Sequence, residues 1–318
     1  MRERQALWMM GLALAGALGC SGTTKDEGPQ PVDEFPKEQP ATIEGAIVFH
    51  FPEIVVPAAT DQIFCQFLEP EKEDVYISSL TSYQGVHGHH LVIFAATDQE
   101  PANTVRDCTT PQDMTNLIPI VSSVNFGLAK FPEGMAVRVK KGTQLVLQQH
   151  YLNTTEHAIR THDVSMVTTR KLADVKVTAG FYGTSDINFK LEATPGKPQT
   201  VKFECEIPHD LNVLLMGPHM HEWGQTFLAE AGPHDAMQKI IDIPKWDAKM
   251  RDFPPVKEYT GDAPLVLKKG DFIRTTCVFN NTTGKPLVFP HEMCATYGYY
   301  FPAPEGSEEW TCAGTKVE

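Results

Sequence analysis

From Ile43 onward the chain carries its apolar residues in short runs rather than at helical intervals. Residues 75–77, 91–94, 144–151, 201–205, 211–215 and 272–279 are rich in β-branched and aromatic side chains, which suit a pleated, half-buried surface. Turn formers separate the runs: Lys141-Gly142, Pro195-Gly196, Gly217-Pro218, Lys269-Gly270 and Gly284-Lys285-Pro286. No long segment shows a 3.6-residue period and no internal repeat stands out. Many short strands between Pro and Gly turns predict an all-β protein with sandwich or jelly-roll packing. Residues 179–198 are less regular and hold Gly183, Pro195 and Gly196. The chain therefore divides into two tandem jelly-roll-type β-sandwich domains, 42–178 and 179–318, each of ordinary domain size.

The first residues follow other rules. Arg2 and Arg4 precede an uncharged apolar stretch over 6–19, too short for a permanent membrane span and suited to an export signal. It ends in Ala17-Leu18-Gly19-Cys20, which resembles a bacterial lipoprotein lipobox, and that resemblance makes residues 1–20 the signal and Cys20 the lipidated residue. Ala17 departs from the usual Leu, so ordinary signal cleavage is the alternative. Either route places the protein outside the cytoplasm; the lipobox route anchors it to a bacterial envelope membrane, facing the periplasm or exterior. Residues 21–41 are rich in Thr, Asp, Glu, Pro and Gln. They offer little apolar surface against their ordering entropy and predict a disordered tether.

Charge and cysteines narrow the picture further. A formal net charge of -13 argues against nucleic acid as a partner, since phosphate binding needs clustered Lys and Arg. With Cys20 set aside, six cysteines remain: Cys65, Cys108, Cys205, Cys277, Cys294 and Cys312. Outside the cytoplasm an even number favours disulfides, with fifteen possible pairings. None lies in a CxxC pair, which disfavours a zinc–thiolate site.

The histidines cluster. His87-Gly88-His89-His90 opens one apolar run, His150-Tyr151 closes another, His219-Met220-His221 follows the Gly217-Pro218 turn, and His291-Glu292-Met293-Cys294 precedes an aromatic run. In a strand, residues i and i+2 share a face, so His219 and His221 can hold one ion while Met220 points away into packing. His89 and His90 are adjacent, and adjacent strand residues face oppositely. They can share an ion only at a bulge or strand end. Two imidazoles with a soft thioether suit copper, whereas imidazoles alone also suit zinc, iron or nickel. His157, His162 and His234 read as solvated, and His50, His87, His209 and His291 as structural or supporting. On these motifs alone copper, zinc and no metal all stay open.

The motifs in order resemble those of the copper type II, ascorbate-dependent monooxygenases, the family of peptidylglycine α-hydroxylating monooxygenase and dopamine β-monooxygenase. The segment His89-His90-Leu91-Val92-Ile93-Phe94 is similar to the family's HHMLLF, and Leu145-Val146-Leu147-Gln148-Gln149-His150-Tyr151 to LVLQVHY. Pro218-His219-Met220-His221 matches its HTH position, and Glu292-Met293-Cys294-Ala295-Thr296-Tyr297 resembles EMCNLY. The match runs from about Cys65 to Cys312. It implies the disulfides Cys65–Cys108, Cys205–Cys312 and Cys277–Cys294, which use all six cysteines.

The resemblance also implies roles. His89, His90 and His150 would hold an electron-transfer copper in the first sandwich. His219, His221 and Met293 would hold a second copper in the second sandwich, across a cleft, where oxygen and substrate react. Tyr297 would lie near the substrate, with Gln148 between the sites. The implied activity is hydroxylation of an aliphatic or benzylic C–H of a small molecule, with O2 and ascorbate or another one-electron reductant as co-substrates. A copper-binding envelope lipoprotein without turnover is the alternative. One departure bears on substrate: where the peptide-amidating enzyme carries a carboxylate-binding Arg, this chain has Gly217, so a bidentate clamp is missing there.

Overall fold

Alternation along two neighbouring strands sets the architecture. In Gly88–Ala96 and Gln144–Asn153, Leu91, Ile93, Leu145 and Leu147 enter one core, while Phe94 and Val146 enter another on the opposite face. These strands lie at the middle of a five-stranded antiparallel sheet, ordered Val105–Asp107, Thr60–Pro70, Gln144–Asn153, Gly88–Ala96, Leu117–Val124. The computed structural model describes residues 30–33 and 41–317, except 86, 115, 125, 126, 162, 252, 290 and 306–308. Among them the chain is all-β, with strands packed as sandwiches, three short 3-10 segments and no α-helix. None of the described helices is long and apolar enough to cross a membrane.

A second sheet of 11 strands runs through both halves of the chain. Its backbone is Ile47–His50, Val164–Thr169, Val75–Tyr83, Met135–Val139, Val177–Ser185, Ala295–Phe301, Leu211–His219 and Lys257–Glu258. The junction is the parallel pair of Met135–Val139 with Val177–Ser185. The anticipated division after residue 178 therefore falls inside a strand that is hydrogen-bonded to both halves. Phe181 and Tyr299 point into the first core, whereas Tyr182 and Tyr300 point into the second. Residues of one strand thus wall two cores. The second core is closed by another five-stranded sheet, ordered Gln238–Ile243, Gly224–Gly232, Phe272–Phe279, Gln199–Glu206, Thr315–Lys316. Phe203, Phe227 and Phe279 fill it, each almost wholly buried.

Cys65–Cys108, Cys205–Cys312 and Cys277–Cys294 are disulfides, the pairing implied by the resemblance. The export signal, Cys20 and most of the tether lie outside the described residues. Within the expected tether, Val32–Asp33 is a strand paired in parallel with Ile159–Arg160, Val32 N–H donating to Ala158 O. An edge strand can recruit a passing segment through backbone groups alone, which a reading of side-chain hydropathy does not register.

Candidate metal centre

The histidines of the first motif are positioned by a break in strand register. Along Gln144–Asn153, His150 pairs with His90, but the next residue, Tyr151, pairs with Gly88. His89 is the extra residue of a β-bulge. A bulge places two residues opposite one and re-aims a side chain, so the two adjacent histidines turn to one side. His89 Nδ1 lies 2.9 Å from His150 Nδ1 and 3.1 Å from His90 Nδ1. Nitrogens bound to one ion at about 2.0–2.1 Å, with angles of roughly 90–110°, sit about 2.9–3.4 Å apart. The nitrogens of His90 and His150 each have that spacing from His89 Nδ1, and a nitrogen from each of the three rings lies within 4.8 Å of the others.

The second motif forms at a strand end. Leu211–His219 pairs with Ala295–Phe301, with His219 opposite Ala295, and Met293 stands two residues before that partner. Met220 is fully buried in the second core, so His219 and His221 project the other way. Their Nε2 atoms are 3.1 Å apart. Met293 lines the same cavity as both rings.

Acceptors around the rings decide where the lone pairs point. A carbonyl oxygen only accepts, so His89 Nε2 donates to Arg251 O (3.1 Å) and His221 Nδ1 to His291 O (3.3 Å). His150 Nε2 donates to Asp61 Oδ1 at 2.6 Å. In the neutral form of each of these rings the other nitrogen carries a lone pair toward the neighbouring histidines. Carboxylates and carbonyls commonly hold ligating imidazoles this way. Lone pairs facing one another at 3 Å repel, and a cation between them is what makes such an arrangement favourable. The donor set fits a metal ion: clustered imidazoles with a thioether at hand.

Burial, followed by repulsion from the other histidines, holds His89, His90 and His219 well below the ordinary imidazole range. The same causes take His221 down to about 3. Neutral rings are the ligating form. Burial pushes Asp61 up, but its hydrogen bond to His150 and that ring's charge outweigh this and leave it below the usual carboxylate range.

Glu292 braces the second site. Its side chain is fully buried, Oε1 accepting from the N–H of His221 (2.5 Å) and Met293 (3.0 Å) and Oε2 from Trp223 (3.1 Å). One carboxylate so ties the loop bearing His221 to the segment bearing Met293. Burial raises it to about 7 against the lowering effect of these three bonds. Trp246 Nε1 donates to His221 O at 2.9 Å, closing the other side.

The two motifs meet rather than facing each other across a cleft. Ring centroids are 6.0 Å apart for His89–His219 and for His89–His221, 6.3 Å for His90–His219 and 6.4 Å for His150–His221. The strand ending at His219 belongs to the sheet on which the first five-stranded sheet packs, Leu214 sharing a core with Leu91 and Leu147, and this brings the motifs together. The cavity that does separate the halves, of about 450 Å³, opens beside the cluster and reaches His90, His150, His219, His221, Gln148 and Tyr297.

Among the other histidines, His291 contributes its carbonyl, as above, His234 is exposed and paired with Glu204, and His209 packs on Tyr300. His157 O accepts from Asn153 Nδ2, and His162 lies outside the described residues. Sequence reasoning missed Asp61 and Arg251 as partners of the rings, and neither sits in a local motif. Glu292 was visible in sequence between His291 and Met293, and an acidic residue set between two such side chains was the available signal.

Gly217 has a steric reason. A Cβ there would stand 2.7 Å from Tyr297 Cζ and 3.0 Å from its hydroxyl, since Tyr297 is the register partner of Gly217. The Tyr297 ring occupies the space a side chain at 217 would need. Burial, with Tyr299 nearby, pushes the Tyr297 phenol up.

No protein-family model matches the chain, and no curated protein matches it. Among solved structures it is similar to PNGase F, a glycosylasparaginase from Flavobacterium meningosepticum, at 8% identity and a TM-score of 0.36, covering 86% of this chain and 99% of that one. It is also similar to PBCV-1 VP54 fitted into a reconstruction of the virophage Sputnik, at 7% identity and a TM-score of 0.27, covering 83% and 95%.

Proposed function

We propose that the chain is an exported, lipid-anchored copper monooxygenase, in which His89, His90 and His150 hold one copper ion and His219, His221 and Met293 a second. The observation that carries this reading is the convergence of five imidazoles, buried or half-buried, with ring nitrogens about 3 Å apart within each motif. Bound copper would supply one-electron redox chemistry and oxygen activation for R–H + O2 + two electrons + two protons giving R–OH + H2O. The chain's own residues do the rest. Asp61, Arg251 O and His291 O orient the rings, Glu292 fixes the spacing of His221 and Met293, and the cavity wall bearing Tyr297 holds the substrate beside them.

The test is product labelling. Copper-loaded protein given 18O2, ascorbate and candidate substrates is expected to release a hydroxylated product with one labelled oxygen per O2 consumed. Copper bound at two equivalents with no labelled product from any substrate would instead make it a copper-binding envelope protein.

A further inference from the structure

The cavity beside the histidines has few charges, and those it has are engaged. Among its described lining residues, histidines aside, the formally charged side chains are Asp61 and Arg251. Asp61 accepts from His150 at 2.6 Å, and Arg251 Nη1 donates to Glu222 at 2.6 Å with its side chain only 12% exposed. The rest of the wall is apolar or hydroxyl-bearing, apart from the amide of Gln148, whose Nε2 donates to Met114 Sδ. Ile63, Val92 and Phe94 come from the first five-stranded sheet, Phe181 from the shared sheet and Phe289 from the loop before Met293. Ile187 lines the cavity while remaining 47% exposed, which places an apolar side chain at its solvent edge. Tyr297 fills the place of any side chain at position 217, so that wall cannot present an ionic anchor. A cavity of about 450 Å³ lies within the roughly 300–1,000 Å³ of small-molecule sites, which are apolar with a few orienting polar groups.

From this lining we infer that the cavity takes an uncharged, largely apolar molecule, with at most hydroxyl or carbonyl groups, and excludes both carboxylates and ammonium ions of the same skeleton. A charged ligand entering here would lose its hydration and find its natural counter-ions already paired. An uncharged aryl or alkyl group buries apolar surface, and Ser122 lines the cavity with a hydroxyl for a neutral polar substituent, whereas the hydroxyls of Thr110 and Thr184 already donate to Asp113 and to Thr296 O. The inference depends on the monooxygenase reading only for what happens to the molecule after it binds.

A matched series tests it: 3-phenylpropanol, 3-phenylpropanoate and 3-phenylpropylamine share one skeleton and differ in charge. Their binding to copper-loaded and copper-free full chain, measured by calorimetry, is expected to favour the alcohol by about tenfold or more over both ions. Ile187→Asp, a charge placed at the exposed edge, is expected to weaken the alcohol by several-fold and to narrow its lead over the amine. Equal or tighter binding of either ion, or binding of none of the three, overturns the inference, as does an Ile187→Asp protein that binds all three as the parent does. Binding is read without turnover, so the outcomes separate. The expected ranking with no labelled product from any substrate sinks the monooxygenase reading alone, while labelled product with a reversed ranking sinks the substrate class alone.

Discussion

His221→Ala is expected to lower copper content from about two equivalents to about one and to reduce hydroxylation by more than about 100-fold, beyond the upper end of what losing a mere supporting contact to a ligand costs. The reason lies in how little is left at that site. His219 and Met293 remain, two ligands where copper sites of this kind use three, and the lone pair of His221 Nε2 is the one that meets His219 at 3.1 Å. The first triad keeps all its nitrogens and the orienting bond of Asp61 to His150, so its ion should stay. Metal analysis with single-turnover product measurement checks this. Full copper retention, or loss of both ions from a folded protein, would count against two ligand sets divided in this way.

Glu292→Ala is expected to destabilise the fold by about 3 kcal/mol, because it strands the buried N–H of His221 and the partly buried N–H groups of Trp223 and Met293, a fully buried donor costing roughly 1–3 kcal/mol when unpaired. For chains of 150–250 residues each kcal/mol shifts the melting temperature by roughly 2–4 °C. At 318 residues this chain lies beyond that range, so a drop of up to about 6 °C should follow in thermal unfolding of the metal-free protein. Glu305→Ala is the comparison: that side chain is 85% exposed and its nearest charge, Arg138, stands 3.6 Å away, so its loss should stay within about 0.5 kcal/mol. If the two variants melt together, the three hydrogen bonds do not brace the site. The consequence for chemistry is direct, since the same carboxylate spans the loop of His221 and the segment of Met293.

What the sequence made legible, and what it did not, follows from the range of the interactions. The strands announce themselves locally: Leu91 and Ile93 against Val92 and Phe94, or the aromatic run ending in Tyr299 and Tyr300, carry a two-residue period that burial alone enforces. The shared sheet does not announce itself, because the parallel pairing of Met135–Val139 with Val177–Ser185 depends on backbone groups far apart in the chain. The same limit applies to the site. His219 and His221 read as co-facial from spacing, and Met220 as their inward-facing spacer. For His89 and His90 the spacing argued against a shared face, and the resolution is a bulge that arises only when Gln144–Asn153 pairs alongside. Asp61 reaches His150 from a neighbouring strand, and no window of sequence around either residue relates them. The close meeting of the two triads was likewise out of reach, being a property of sheet-on-sheet packing.

Anomalous diffraction at the copper edge, from crystals of copper-loaded protein, tests the central claim most directly. The account predicts two copper peaks in each chain, one within bonding distance of nitrogens of His89, His90 and His150, the other of His219, His221 and the Met293 sulfur. A single peak shared by all five imidazoles, or no copper at the cluster, would contradict it.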